Sequence, residues 1–338
     1  MRARGVIAAG LAVALSGCNR VQTMLDPAAD ESRSIDHIWR LMLEVCGFMY
    51  LLVLLGLAWA LWRARHRLAG DTAPRTAASP AEPKISHTLA GWTGLIVLGL
   101  VVLTTGSFLV DRSLARAAAP AVSVKVTANQ WWWAIEYQDA ADPSQGFVTA
   151  NELHLPVGKP VEIQLASNDV IHSFWVPNLH GKMDLIPGRS NLIRITPRRE
   201  GLFRGQCAEF CGLQHAKMAL QVVVESTQAY DAWKARQIQP AAMPAAGDAA
   251  AGAQAFANSG CVLCHAIRGT DAGGTTAPDL THLASRNTIA AGALPRNQGT
   301  LAAWITDPQR FKPGVNMPAV PLSNAQRAQV VAYLESLS

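Results

Sequence analysis

The chain has 338 residues, enough for two or three domains; half of them are apolar and only 16% are charged. That balance argues against a wholly soluble protein, and a net charge of +5 spread along the chain gives no reason to expect nucleic-acid binding. Six cysteines, four of them in two short motifs, do not make a disulfide framework.

Residues 1–17 read as a signal segment, with Arg2 and Arg4 ahead of an apolar run from Val6 to Leu15. Leu15-Ser16-Gly17-Cys18 resembles a bacterial lipoprotein signal, in which Cys18 becomes the lipidated first residue of the mature chain. Residues 18–40 then form an external segment. Val45–Trp62 and Ile85–Val110 contain no charged residue. At about 1.5 Å per residue each can cross a hydrocarbon core of roughly 30 Å, so transmembrane helices are expected over 41–62 and 85–112. The joining loop, 63–84, carries Arg63, Arg65 and Arg67 and belongs on the cytoplasmic side, which leaves both chain ends outside. Cys46 falls within the first apolar run and reads as packing.

From residue 120 to 227 the pattern changes to short β-branched or alternating runs: Val122–Val126, Glu152–Leu155, Val161–Leu165, Asn191–Ile195 and Ala219–Val224, separated by Pro, Gly, Asn and Asp turns. An all-β sandwich or barrel is expected. Trp131-Trp132-Trp133 lies in it, and on a strand Trp131 and Trp133 share one face. The run Cys207-Ala-Glu209-Phe-Cys211-Gly-Leu-Gln-His215-Ala-Lys-Met218 gathers soft ligands suited to copper, and His172 can join them from another loop at the same end. Zinc and a Cys207–Cys211 disulfide are the competing readings of these residues taken alone.

An Ala/Pro-rich linker is expected within 228–246, followed by an all-α region over 247–338 with helices near Asp248–Asn258, Thr300–Ile305 and Ser323–Leu337. Cys261-Val-Leu-Cys264-His265 is spaced for two thioether bonds to one haem and an axial imidazole. A thioredoxin-like dithiol is the rival, but no βαβ context surrounds it. Met317 is the one methionine downstream and the natural second axial ligand; His282 competes and reads better as packing.

The helix pair followed by Cys-x-Glu-x-Cys-x-x-x-His-x-x-Met resembles subunit II of haem-copper cytochrome c oxidases over residues 35–226. The resemblance implies a cupredoxin domain holding a dinuclear copper A centre. Cys207 and Cys211 would bridge the coppers, His172 and His215 would each bind one, and Met218 and the Glu209 carbonyl would complete the set. The Glu209 carboxylate would help hold magnesium shared with subunit I, and Trp131 would stand where the electron enters. Asp184 and Arg189 resemble the family's loop near the copper, with a structural ion pair as the plainer reading. The final region resembles the class I cytochromes c fused to bacterial subunits of this kind, with Pro278 supporting His265.

The implied role is to carry electrons from a soluble or membrane cytochrome c, or an upstream respiratory complex, through haem c and copper A to subunit I, in a proton-pumping oxidase of the bacterial inner membrane. Both soluble domains would lie on the periplasmic face. Many members carry a glutamate at the cytoplasmic start of the second helix; Lys84-Ile-Ser86-His87 has none, which leaves Ser86 or His87 for that place. A nitric oxide reductase with a copper A subunit and, from another class, a copper-delivery protein are the alternatives. A quinol oxidase subunit would lack the copper ligands.

Overall fold

A computed structural model describes residues 21–68, 82–115, 119–139 and 141–338. Cys18 lies outside them, as does the signal segment. The chain divides into two compact units, one formed by residues 33–117 and the other by the rest.

The first unit is a pair of long helices, of which α1 (Asp30–Leu68) begins just before the unit boundary and α2 (Glu82–Ala115) follows. Both extend beyond the expected spans, with α1 starting inside the stretch expected to be an external segment. Apolar runs explain the spans, and helix propensity carries both elements past them into charged flanks. Gly106 and Gly99 let the pair approach: a Cβ on Gly106 would lie 2.8 Å from a Leu41 methyl, and one on Gly99 would sit 3.5 Å from Val45. Elsewhere the apolar side chains face outward, with Tyr50, Leu55 and Leu98 all more than half exposed. So continuous an apolar surface on two helices suits lipid and not water.

The second unit holds a β-sandwich and a helical region. Its strands are β1 (Val122–Asn129), β2 (Trp132–Gln138), β3 (Phe147–Ala150), β4 (Glu152–Pro156), β5 (Val161–Ser167), β6 (His172–Trp175), β7 (Met183–Leu185), β8 (Asn191–Ile195), β9 (Gly201–Cys207) and β10 (Ala219–Glu225). One sheet has the order β3-β2-β1-β5-β8 and the other β4-β10-β9-β6-β7. Alternation sets the core: Val124, Val126 and Ala128 of β1, Trp133, Ile135 and Tyr137 of β2, and Ile163 and Leu165 of β5 point inward. The sequence pattern missed β2 because three tryptophans obscure its alternation, and β3, β6, β7 and β9 because they are short or interrupted by polar residues. Residues 21–29 run along the sandwich, where Arg198 N–H donates to Ala28 O at 2.7 Å.

Helix α3 (Thr227–Ile238), capped by Ser226, occupies the first part of the stretch expected to be linker. Tyr230 and Trp233 bury it against the sandwich, which is why a polar sequence there is ordered. The helical region contains α4 (Gly247–Asn258), α5 (Gln298–Thr306), the single turn α6 (Pro308–Phe311) and α7 (Asn324–Ser336), with a two-stranded ribbon of β11 (Thr288–Ile289) and β12 (Leu294–Pro295). Helices α4 and α7 cross at Gly252, where a Cβ would lie 1.9 Å from the Gln329 carbonyl oxygen, so only glycine permits the contact.

A buried polar cluster ties β4, β10 and the helical region together. His154 Nδ1 meets Glu225 at 2.8 Å and Nε2 meets Glu152 at 3.1 Å, while the ring stacks on Trp233 at 4.0 Å. Glu152 also accepts from the Asn287 backbone N–H at 3.0 Å. Both imidazole nitrogens must donate, which requires the charged ring. Burial opposes that charge, but the bonds to Glu152 and Glu225 outweigh it and raise the His154 pKa. The sign follows: the cluster's contribution is complete below the ordinary histidine pKa of about 6.5 and is lost as pH rises through the raised value. Thermal melts of the parent chain should therefore lose stability across that window, and a His154→Gln variant should flatten the loss; equal slopes would contradict this assignment.

Candidate metal centre and haem cavity

Strand β6 pairs with β9 through Phe174 opposite Cys207, which brings His172, at the start of one strand, beside Cys207, at the end of the other. The loop from β9 to β10 then carries Glu209, Cys211, His215 and Met218 around the same end of the sandwich. The two Sγ atoms stand 3.7 Å apart, well beyond the ~2.05 Å of a disulfide, and both cysteines are free. The arms match on each side. His172 Nδ1 is 3.8 Å from Cys207 Sγ, and His215 Nδ1 is 3.7 Å from Cys211 Sγ. Met218 Sδ lies 3.9 Å from Cys211 Sγ, and the Glu209 carbonyl oxygen lies 3.2 Å from Cys207 Sγ. His172, Cys207 and Cys211 place their ligand atoms within 4.8 Å of one another.

This set can hold two soft metal ions. Two thiolates lie between two outer imidazoles, with a thioether and a carbonyl at the flanks. A single tetrahedral ion would leave two of these donors unused. With no metal, one thiol supports the other as an anion: the Cys211 S–H beside Cys207 holds the Cys207 thiol well below its ordinary pKa, and the Cys207 anion drives that of Cys211 up.

Around the ligands the sequence supplies supports that a motif does not reveal. Asp169, read from sequence as a turn residue, accepts from His172 Nε2–H at 2.7 Å and from the Gln130 backbone N–H at 2.6 Å. Its bond fixes the tautomer and leaves Nδ1 facing Cys207. Burial opposes a charge on His172, yet its bonds to Cys207 and Asp169 raise its pKa. Trp131 is 6% exposed, and its Nε1–H donates to the Cys211 carbonyl at 2.8 Å. Gly212, at φ +107°, makes room for that indole, since a Cβ would approach it to 3.1 Å. Trp133 is fully buried, with its ring edge-on to His172 at 6.3 Å, while Trp132 is half-buried. Trp131 and Trp133 are thus both buried as expected, but Trp131 lies in the β1–β2 turn and not on the strand, so it is its bond to the Cys211 carbonyl that holds it inward.

The Glu209 carboxylate lies 4.0 Å from Lys182 Nζ at a half-buried position. Asp184 and Arg189, expected as an ion pair, form none among the described residues. Asn191 Nδ2 instead donates to the Asp184 backbone carbonyl at 2.6 Å.

The second candidate site is a cavity of about 580 Å³ lined by Cys261, Cys264, His265, Met317, Arg286, Lys312 and Trp131, among others. His265 Nδ1–H donates to the Pro278 carbonyl at 2.7 Å, so its Nε2 is the nitrogen available to a metal. Burial holds the His265 pKa down, which favours the neutral, ligating ring. His282, the competing ligand, spends both nitrogens on the Ser338 and Gln239 carbonyls at 3.0 Å each. Two thiols, an imidazole and a thioether around an apolar space, with the buried Arg286 Nε left without a partner, fit a covalently attached haem with its propionates.

Fold and sites define a redox protein that joins a soft-metal β-sandwich to a cytochrome c region behind two helices suited to a membrane. Comparison with known proteins agrees. The family model for the cytochrome c oxidase subunit II periplasmic domain matches residues 122–227, and that for cytochrome c matches residues 249–338. The chain is 32% identical over 331 residues to cytochrome c oxidase subunit 2 of Alkalihalophilus pseudofirmus, covering 97% of this chain and 94% of that one. It is 34% identical over 279 residues to the subunit 2 of Bacillus sp. (strain PS3), covering 76% of each. With that of Bacillus subtilis it shares 30% over 288 residues, covering 81% of this chain and 79% of the relative. The chain belongs to the cytochrome c oxidase subunit II family. It is thus a subunit of an oxidase, and its two domain families imply copper A and haem.

Removing the anionic support of His172 tests the metal centre. Asp169→Asn should weaken copper retention by roughly ten- to a hundredfold, read by competition with a chelator; retention equal to the parent would show that Asp169 does not orient the ligand.

Proposed function

We propose that this chain accepts electrons for a proton-pumping terminal oxidase, taking them one at a time from an external cytochrome c or an upstream respiratory complex. They leave for subunit I, where oxygen is reduced to water. When bound, haem c and dinuclear copper A supply the two one-electron couples. Cys261 and Cys264 tether the haem covalently, and His265 and Met317 hold its iron. Cys207 and Cys211 would be shared between the coppers, His172 and His215 would each hold one, and Met218 and the Glu209 carbonyl would be the weaker ligands. His172 and Cys207 on paired strands, with the loop ligands anchored between β9 and β10, change little in position when the charge of the centre changes by one, and this keeps the barrier to electron transfer low.

The observation that carries this reading is Trp131, a residue that lines the haem cavity and whose Nε1–H is bonded to the carbonyl of Cys211. One residue therefore adjoins both sites, and electron entry at Trp131 would come from the haem side. The Glu209 carboxylate, half-buried beside Lys182, would meet magnesium at the boundary with subunit I. Ser86, exposed near the start of α2, and His87 beside it are proposed for the mouth of proton uptake. Cys18, if lipidated, would add a second anchor on the periplasmic side of the inner membrane.

Mixing the complete oxidase anaerobically with reduced cytochrome c, and following haem c and copper absorbance separately, tests the order. Haem c should be reduced first, with copper following at the rate at which haem c is reoxidised. Copper reduction that precedes or bypasses haem c would overturn the relay.

A further inference from the structure

One buried cation joins the haem cavity to the sandwich. Lys312 is 1% exposed and sits between α6 and Met317. Its Nζ donates to the backbone carbonyl of Trp131 at 2.9 Å and to that of Ala290 at 3.2 Å. An ammonium has three donors, and the third has no partner among the described residues. No carboxylate pairs with Lys312 among them either. Burial and the repulsion of Lys217 push its pKa down to about 8, the behaviour of a charge that lacks its counter-ion. A buried, unpaired ammonium is costly, and Lys312 is among the residues lining the cavity in which the attached haem would bring two carboxylates. Arg286 provides one other buried cation there.

We propose that Lys312 gives its third N–H to a haem propionate and thereby acts as a positioning residue, clamping the haem edge to the Trp131 carbonyl. The inference rests on the haem c and copper A reading above. The result is a continuous polar link: propionate to Lys312, Lys312 to the Trp131 backbone, and the Trp131 indole to the Cys211 carbonyl. Lys312 also places a positive charge beside the haem, which favours the reduced form. Its loss has two opposed effects on transfer to copper. The haem becomes a stronger reductant, which by itself would speed the step, while the clamp is lost, which slows it. A slower transfer from a more reducing haem therefore reports the clamp and not the driving force.

The test uses the full-length chain with haem and copper loaded, comparing Lys312→Met, Lys312→Arg and Asn287→Ala. The last removes the Asn287 Nδ2–H bond to Glu152, 3.3 Å, between sandwich and helical region and lies outside the cavity lining. Lys312→Met should shift the haem reduction equilibrium about tenfold toward the oxidised form, about 59 mV for one electron. It should also slow haem-to-copper transfer after photoreduction by tenfold or more. Lys312→Arg should keep the haem equilibrium within twofold of the parent, and so should Asn287→Ala. A Lys312→Met protein that holds both cofactors with equilibrium and rate within twofold of the parent would overturn the proposal, as would an equal equilibrium shift in Asn287→Ala. A parent chain that holds no haem or no copper would instead remove the functional reading beneath it.

Discussion

Cys207 and Cys211 are held 3.7 Å apart in the sandwich end with no bond between them, and much of the second unit serves that separation. Pairing β6 with β9 fixes Cys207 against His172, while the β9–β10 loop returns to deliver Cys211, His215 and Met218. Left alone, so many soft donors in a small space would repel, share a proton or oxidise to a disulfide. A pair of metal ions resolves each of these at once. The same constraint explains Asp169, which holds His172 from behind, and Gly212, whose missing side chain admits the indole of Trp131.

The helical region bears directly on this arrangement. The loop carrying the expected axial Met317 meets the metal loop through Gln214 Nε2, which donates to the Pro313 carbonyl at 2.6 Å, and through Lys312 on Trp131. Away from those loops, Glu152 holds Asn287 and His154 together. Haem cavity and metal loop are thus neighbours by several independent polar contacts. A tethered redox partner of this kind replaces a diffusional encounter with a fixed one.

Much of the chemistry was legible in the sequence because its ligands are near neighbours along the chain. Four of the expected copper-binding side chains fall between Cys207 and Met218, and three of the haem-binding ones fall between Cys261 and His265. The shared burial of Trp131 and Trp133 was legible too, although its cause was not, since only Trp133 lies on the strand and Trp131 sits in the turn before it. What escaped was support across long sequence separations. Asp169 looks like a turn residue until β6 folds back beside it, and Lys312 looks like a surface lysine until its partner, Trp131, arrives from 181 residues away. Polar α3 read as linker because its ordering comes from Tyr230 and Trp233 packed on the sandwich, a tertiary effect that overrides local composition.

The central claim is that two copper ions share the thiolates of Cys207 and Cys211. Metal analysis combined with electron-spin resonance of the purified full-length chain tests it most directly. The account predicts two coppers per chain with one unpaired electron delocalised over both, beside one low-spin haem. Zinc, or a single copper with its unpaired electron on one nucleus, would contradict it.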